Sequence, residues 1–307
     1  FDKHRNNIVS VRESHNNGKN EPLNEIIFID LNNKLNEKVI VTGNDFYSNP
    51  RISPDGKNMA WLSWNHPNMP WDGNELWVAD LDSEGFLFNK RKIISDQESV
   101  FQPEWSPDGI LYFVSDRNGW WNLYRYNDNQ VEIVLEAKAE FGSPMWVFGM
   151  SNYVFASSDL IISKYTKNGY WYIGKINLKA NTLEDIELEE GYDFSRSNIE
   201  IDQGKIYFGG GSVSKVFSIF EFNINTNVLN TLKKSMSLDI PLNYISKPEP
   251  IKFKTTEEAD SHAFFYPPCS NDFVADDNEK PPLIVIIHGG PTGSASITLN
   301  MEVQYWT

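Results

Sequence analysis

The chain has 307 residues and a formal net charge of -15 at pH 7. An acidic balance of that size argues against a nucleic acid or an anionic membrane as partner. The single cysteine, Cys269, excludes an intramolecular disulfide and a cysteine-rich metal site, and the five histidines (His4, His15, His66, His262, His288) stand without metal-ligand spacing.

Hydrophobic residues make up 40% and aromatics 14%, a globular composition that favours strands. No apolar run approaches membrane-spanning length. The length suits one propeller-type all-β domain or two average domains. Acidity weakly favours cationic ligands, although solubility explains it more simply. The chain begins at Phe1 with polar residues and shows no signal peptide, so the cytoplasm is the expected compartment.

In chain order, residues 24–31 and 39–42 read as strands closing a first, partial unit. A repeat then stands out: Asn49-Pro50-Arg51-Ile52-Ser53-Pro54-Asp55-Gly56 against Gln102-Pro103-Glu104-Trp105-Ser106-Pro107-Asp108-Gly109. Each Ser-Pro-Asp-Gly spells a type I turn, with proline presetting φ at the second position and glycine ending it. An aromatic-rich strand follows each turn, at 59–64 and 110–114, and a further strand follows that, at 75–81 and 121–126. Weaker copies place strands at 153–156, 170–176, 205–208 and 217–222. Each unit reads as four strands joined by tight turns, so the pattern predicts one partial blade and four whole ones up to about Asn243. An open array of that kind leaves its terminal faces uncovered, which predicts a truncated N-terminus. A β-sandwich with coincidental turns is the bland alternative.

The repeat breaks at residues 244–250, where Pro248 and Pro250 fit an extended linker. Residues 251–255 and 263–266 read as strands around a polar turn, and 271–280 as a charged loop. Next comes Pro281-Pro282-Leu283-Ile284-Val285-Ile286-Ile287-His288-Gly289-Gly290-Pro291. The five apolar residues, mostly β-branched, predict a strand buried on both faces, as in a parallel sheet. Gly289 and Gly290 suit a turn that other residues enter poorly. A helix is expected over 296–306.

These segments resemble the prolyl oligopeptidase family of serine peptidases, in particular its acylaminoacyl-peptidase and dipeptidyl-peptidase-like bacterial branch. The likeness is carried by residues 102–124, with Val114-Ser115-Asp116-Arg117-Asn118-Gly119-Trp120-Trp121 following the second turn. It continues in Ile245-Ser246-Lys247-Pro248-Glu249-Pro250-Ile251 and in the stretch from His288 to Thr307. The resemblance implies a mostly β fold. An incomplete β-propeller of four-stranded blades (1–243) and a linker (244–250) would precede the first strands of an α/β-hydrolase domain (251–307). It implies hydrolysis of short peptides through an acyl-enzyme, without a cofactor, with the propeller gating access.

In the matching family motif the second glycine gives a backbone N–H to the oxyanion hole; here that residue is Gly290, with His288, Gly289 and Pro291 shaping the turn. The Ser, Asp and His of the triad have no counterpart. Gly210-Gly211-Ser212-Val213-Ser214 and Gly293-Ser294-Ala295-Ser296 both lack the last glycine of the Gly-x-Ser-x-Gly elbow. The expectation is therefore a chain that is inert alone, with the triad beyond residue 307. Its partners would be a peptide substrate and the remainder of its hydrolase domain, with no nucleic acid and no membrane; oligomerisation stays open. Arg117, Trp120 and Trp121 are candidate substrate contacts, with a blade seam as the alternative. The Glu189-Glu190 and Asp276-Asp277 pairs read as solvated loops. Two other readings are a translocation-associated binding propeller and an α/β-hydrolase esterase.

Overall fold

The computed structural model describes residues 1–307 except 16, 17, 19, 20, 33–35, 190, 196, 239, 277 and 291. Its architecture is a series of antiparallel meanders that match propeller blades. The first sheet is three-stranded: β1 (Asn7–Ser14), β2 (Leu23–Asp30) and β3 (Asn36–Val41). The second holds β4 (Phe46–Ile52), β5 (Asn58–Trp64), β6 (Glu75–Leu81) and β7 (Leu87–Ile94), and the third holds β8 (Val100–Trp105), β9 (Leu111–Ser115), β10 (Asn122–Asn127) and β11 (Gln130–Leu135). The fourth comprises β12 (Tyr153–Ser157), β13 (Leu160–Lys167), β14 (Tyr170–Asn177) and β15 (Thr182–Asp185). In the fifth, β16 (Tyr192–Asp193) and β17 (Ile199–Asp202) both pair with β18 (Lys205–Ser212), which continues to β19 (Ser218–Asn223) and β20 (Val228–Lys234). A two-stranded ribbon, β21 (Glu249–Lys254) with β22 (Asp260–Phe265), two 3-10 turns (Leu242–Tyr244 and Thr256–Glu258) and a short helix, α1 (Met301–Trp306), complete the regular structure among the described residues.

Burial follows position within each blade. Every residue of β9 is buried, and β5 is buried from Met59 to Trp64. Sheets packed on both faces require apolar side chains on both faces of their inner strands. Two outer strands are largely exposed and cationic, with Lys90, Arg91 and Lys92 on β7 and Lys233 and Lys234 on β20. Charge on an open edge discourages pairing with another chain. Between the first two sheets, Ile26, Phe28 and Val41 pack with Tyr47, Met59, Trp61, Ala79 and Leu81. Truncating Trp61 there would cost about 3–5 kcal/mol.

The paired turns form as their chemistry dictates. Gly56 N donates to Ser53 O and Gly109 N to Ser106 O, both at 2.9 Å. Ser53 Oγ donates to Asp55 Oδ1 (2.7 Å) and accepts from Asn58 N (2.9 Å); Ser106 Oγ repeats this with Asp108 (2.6 Å) and Ile110 N (2.9 Å). Gly56 and Gly109 have φ +73° and +88°, which favour glycine. Upstream, Asn49 and Gln102 both sit at φ 49° beside register shifts in their strand pairs. These are β-bulges, and each precedes a proline that cannot continue the ladder.

By internal contacts the chain divides into two compact units. One comprises Phe1–Asn168 with Ile173–Asp185, the other Gly169–Tyr172 with Ile186–Thr307. Two expectations need correction. Residues 281–289 form no strand, and Leu283 to Ile287 are 50–83% exposed instead of buried. A buried parallel strand needs a ladder partner on each side; among the described residues none pairs with this run, and no α/β-hydrolase sheet is present. The helix expected over 296–306 is confined to α1, where Asn300 caps it by accepting from Glu302 N (2.9 Å). Before it the chain bends at Thr298, and Ile297 and Leu299 bond to the fifth sheet.

Candidate functional site

The two groups of candidate residues lie in different units. In the first unit, the turn between β9 and β10 carries Arg117, Trp120 and Trp121. Arg117 meets Glu98 with two nitrogens, Nε to Oε2 at 2.9 Å and Nη2 to Oε1 at 2.7 Å. Its guanidinium also lies 5.2 Å from the centre of the Tyr124 ring. The carboxylate raises the Arg117 pKa further, and Glu98 also accepts from Ser115 Oγ. Planar two-point pairing fixes the arginine and leaves less of it for a ligand. Trp121 stacks on Phe101 at 6.3 Å and 10°. It occupies space that a side chain at Gly142 would need, so it fills a seam. Trp120 is 38% exposed, and Arg117 is exposed beside it, whereas Trp121 is half-buried.

Two carboxyls border this turn. Asp116 is pushed above its ordinary pKa by burial, although it accepts from Ser99 N at 2.8 Å. Glu140 is pushed up likewise, chiefly by burial, and accepts from Trp121 N at 2.8 Å. Each hydrogen bond favours the charged form, and desolvation outweighs it.

The second unit carries the glycine turn. Gly290 adopts φ +77°, where an L side chain is strained even though the space around it is open. Gly289 lies outside the left-handed region and also faces open space, so the turn requires glycine at 290 and not at 289. Pro291 lies outside the described residues, as do Glu190 and Asp277 of the two acidic pairs. His288 is exposed. Gly293, which sequence reasoning passed over, is a close-approach glycine. A Cβ there would stand 2.6 Å from Gly289 O and 2.9 Å from His288 Nδ1. Gly293 therefore packs directly against His288 and Gly289, and its N–H donates to Gly290 O at 3.5 Å.

Beyond the loop, several bonds tie the chain down. Ile297 N donates to Asp193 Oδ2 (3.3 Å) and Leu299 N to Ser212 O (2.7 Å). Gln304 accepts from Ser246 N at 2.8 Å and donates to Ser246 O at 3.0 Å. Among the described residues no group of three or more His, Cys, Asp or Glu could hold a metal ion. Among the described residues no helix is long and apolar enough to cross a membrane.

Neither a protein-family model nor a curated protein sequence matches the chain. Solved structures do. A puromycin hydrolase superposes with a TM-score of 0.88 at 26% identity, over 98% of this chain and 47% of its own. A puromycin-hydrolysing peptidase from Mycobacterium tuberculosis gives 0.88 at 27% identity, with the same coverage. Prolyl oligopeptidase B from Galerina marginata shares the fold, with a TM-score of 0.64 at 12% identity over 86% of this chain and 37% of its own. The chain thus spans about half the length of these puromycin-hydrolysing proteins. Blade-like sheets and twin turns agree with this: the solved structures that the chain resembles are serine peptidases of the prolyl oligopeptidase family.

Proposed function

We propose that this chain is the access-controlling propeller and first hydrolase segment of a serine peptidase that cleaves short peptides through an acyl-enzyme. The observation that carries the reading is the superposition of 98% of the chain on a puromycin-hydrolysing peptidase at 27% identity. In this reading residues 1–243 are the propeller, 244–250 the linker, and 251–307 the opening of the hydrolase domain. Gly290 supplies a backbone N–H to the tetrahedral oxyanion, with His288, Gly289 and Pro291 around it. One such donor is worth about 3 kcal/mol of transition-state stabilisation. The left-handed backbone at Gly290 supports this role, because only glycine adopts it without strain. Trp120 offers the exposed ring of its turn to an apolar side chain of the peptide, while Arg117 and Trp121 hold that turn. An acylaminoacyl or dipeptidyl substrate is the finer form of the proposal, and the cytoplasm its compartment.

The test is to express the natural reading frame extended past residue 307 and to assay aminoacyl, N-acylaminoacyl and dipeptidyl p-nitroanilides beside a p-nitrophenyl ester. Amide hydrolysis, with labelling of one serine by a fluorophosphonate, is the expected result. Turnover of the ester alone would convert the reading to an esterase, and no turnover with no labelling would end it. The 307-residue chain contains no Gly-x-Ser-x-Gly elbow and is expected to hydrolyse none of these substrates.

A further inference from the structure

Asp193 is 5% exposed and lies on β16, the entry strand of the fifth sheet. Its carboxylate serves two backbone amides. Oδ1 accepts from Ser195 N at 2.8 Å, the local bond of an Asx turn, and Oδ2 accepts from Ile297 N at 3.3 Å, from a residue 104 positions away. Ile297 is itself buried, at 7% exposure. Its neighbours complete the grip. Thr298 occupies the space where a side chain at Gly211 would stand, and Leu299 N donates to Ser212 O at 2.7 Å. Three consecutive residues are therefore held against one blade by a charged acceptor, a close packing contact and a ladder-like hydrogen bond.

The loop they follow is short. Gly293 packs directly against Gly289 and His288, where a Cβ would stand 2.6 Å from Gly289 O and 2.9 Å from His288 Nδ1. Only residues 294–296 separate that loop from the gripped segment. Upstream the situation is opposite: Leu283 to Ile287 are exposed and unpaired among the described residues. The loop is thus fixed from its downstream side.

We propose that Asp193 is a positioning residue for the glycine loop: by binding Ile297 it sets where the Gly290 amide stands. This rests on the reading of Gly290 as the oxyanion donor. It assigns the propeller's last blade a part in the chemistry that gating of access does not require. A carboxylate suits the task, because its two oxygens accept from two N–H groups at once, the buried one of Ile297 and the half-buried one of Ser195, and each bond is charge-assisted. Asparagine has one acceptor oxygen and can serve only one of the two amides.

The experiment uses the 307-residue chain and needs no hydrolysis. Amide exchange at Ile297 and Leu299 is measured by NMR, together with the resonances of the glycine amides in a sample labelled at glycine. In D193A, exchange at both residues is expected to rise about tenfold or more, and the Gly289, Gly290 and Gly293 resonances are expected to move while those of the other sheets stay. D193N should give an intermediate rise. G211A, which leaves the carboxylate intact, should reproduce the shifts by displacing Thr298, and the double variant G211A/T298A should restore them. Faster exchange at Ile297 and Leu299 with unmoved loop glycines in D193N and G211A would overturn the proposal, and so would unchanged exchange. If D193A loses the fifth sheet, D193N and the G211A pair decide the matter by the same criteria. Turnover by the extended reading frame tests the peptidase reading separately, so either idea can fail while the other stands.

Discussion

Gln102 and Tyr153 hold each other between the third and fourth sheets. Gln102 Nε2 donates to Tyr153 O at 2.7 Å, and Tyr153 Oη donates to Gln102 O at 2.8 Å. Gln102 Oε1 also accepts from Asn152 N at 2.6 Å. The bulge at φ 49° turns this side chain away from its own sheet. Its repeat counterpart Asn49, one methylene shorter, leaves its buried Oδ1 without a hydrogen-bond partner among the described residues.

Y153F is expected to cost about 1–3 kcal/mol, because Gln102 O stays buried after its donor is gone. The same tyrosine bears on alkaline stability. Burial raises its pKa well above 10, and it raises Tyr47, Tyr112 and Tyr124 in the same direction. A raised folded pKa means stability that is full below the unfolded value, near 10, and lost as pH rises beyond it. Denaturant midpoints should hold steady from pH 7 to about 9 and fall above about 10, less steeply in Y153F.

The twin turns make a controlled comparison. S53A and S106A each remove a hydroxyl that accepts from the following strand, and each is expected to cost about 1 kcal/mol, with the double variant near the sum. G109A meets only the strain of the left-handed backbone, about 1–2 kcal/mol. G56A meets the same strain and also the His4 ring, 2.6 Å from the added carbon. Thermal unfolding should therefore rank G56A below G109A.

At the other end of the pH range, Asp116 and Glu140 act against the fold. Their raised pKa values mean that the folded state takes up a proton before the unfolded state does. The burial penalty is full at neutral pH and is relieved as pH falls through their raised values toward the ordinary range, near 4. D116N and E140Q keep acceptors for Ser99 N and Trp121 N and remove the charge. Each is expected to raise the melting temperature at pH 7.5 by about 1–3 °C, an advantage that shrinks on acidification. Asp55 and Asp80 carry lowered pKa values, from Ser53 and Arg91 respectively, and give the opposite, acid-sensitive contribution.

The exposed run supplies a fourth prediction. Ile284 and Ile286 are 50% and 64% exposed, so I284K and I286K remove apolar surface without disturbing a core. Both should lower dye binding and aggregation of the 307-residue chain and leave its melting temperature within about 1 °C.

What could be read from the residues was what the residues decide locally. Ser-Pro-Asp-Gly fixes its own turn, and Met59 to Trp64 is too apolar to lie anywhere but in an inner strand. β1 escaped notice because Ile8, Val9 and Val11 alternate imperfectly with polar neighbours, and only its full-length pairing with β2 defines it. The run at 283–287 has the composition of a buried strand, but composition does not provide a ladder partner. Arg117 looked available in the sequence because Glu98, 19 residues earlier, gave no sign of facing it. Gln102 and Asp193 act on residues 51 and 104 positions away, distances over which periodicity carries no information.

The clasp between Gln304 and Ser246 has a consequence for the ageing of the molecule. The Gln304 side chain behaves as a spare peptide group, accepting from one backbone N–H and donating to the C=O of the same residue. Hydrolysis of that amide to a carboxylate would exchange a single NH2 for oxygen and set one acceptor against another, the Ser246 carbonyl, while the remaining oxygen still accepts from Ser246 N. Deamidation at this one position therefore acts as a chemical clock. Old protein would carry an open clasp beside α1, with a mass change of about one dalton as its only covalent mark.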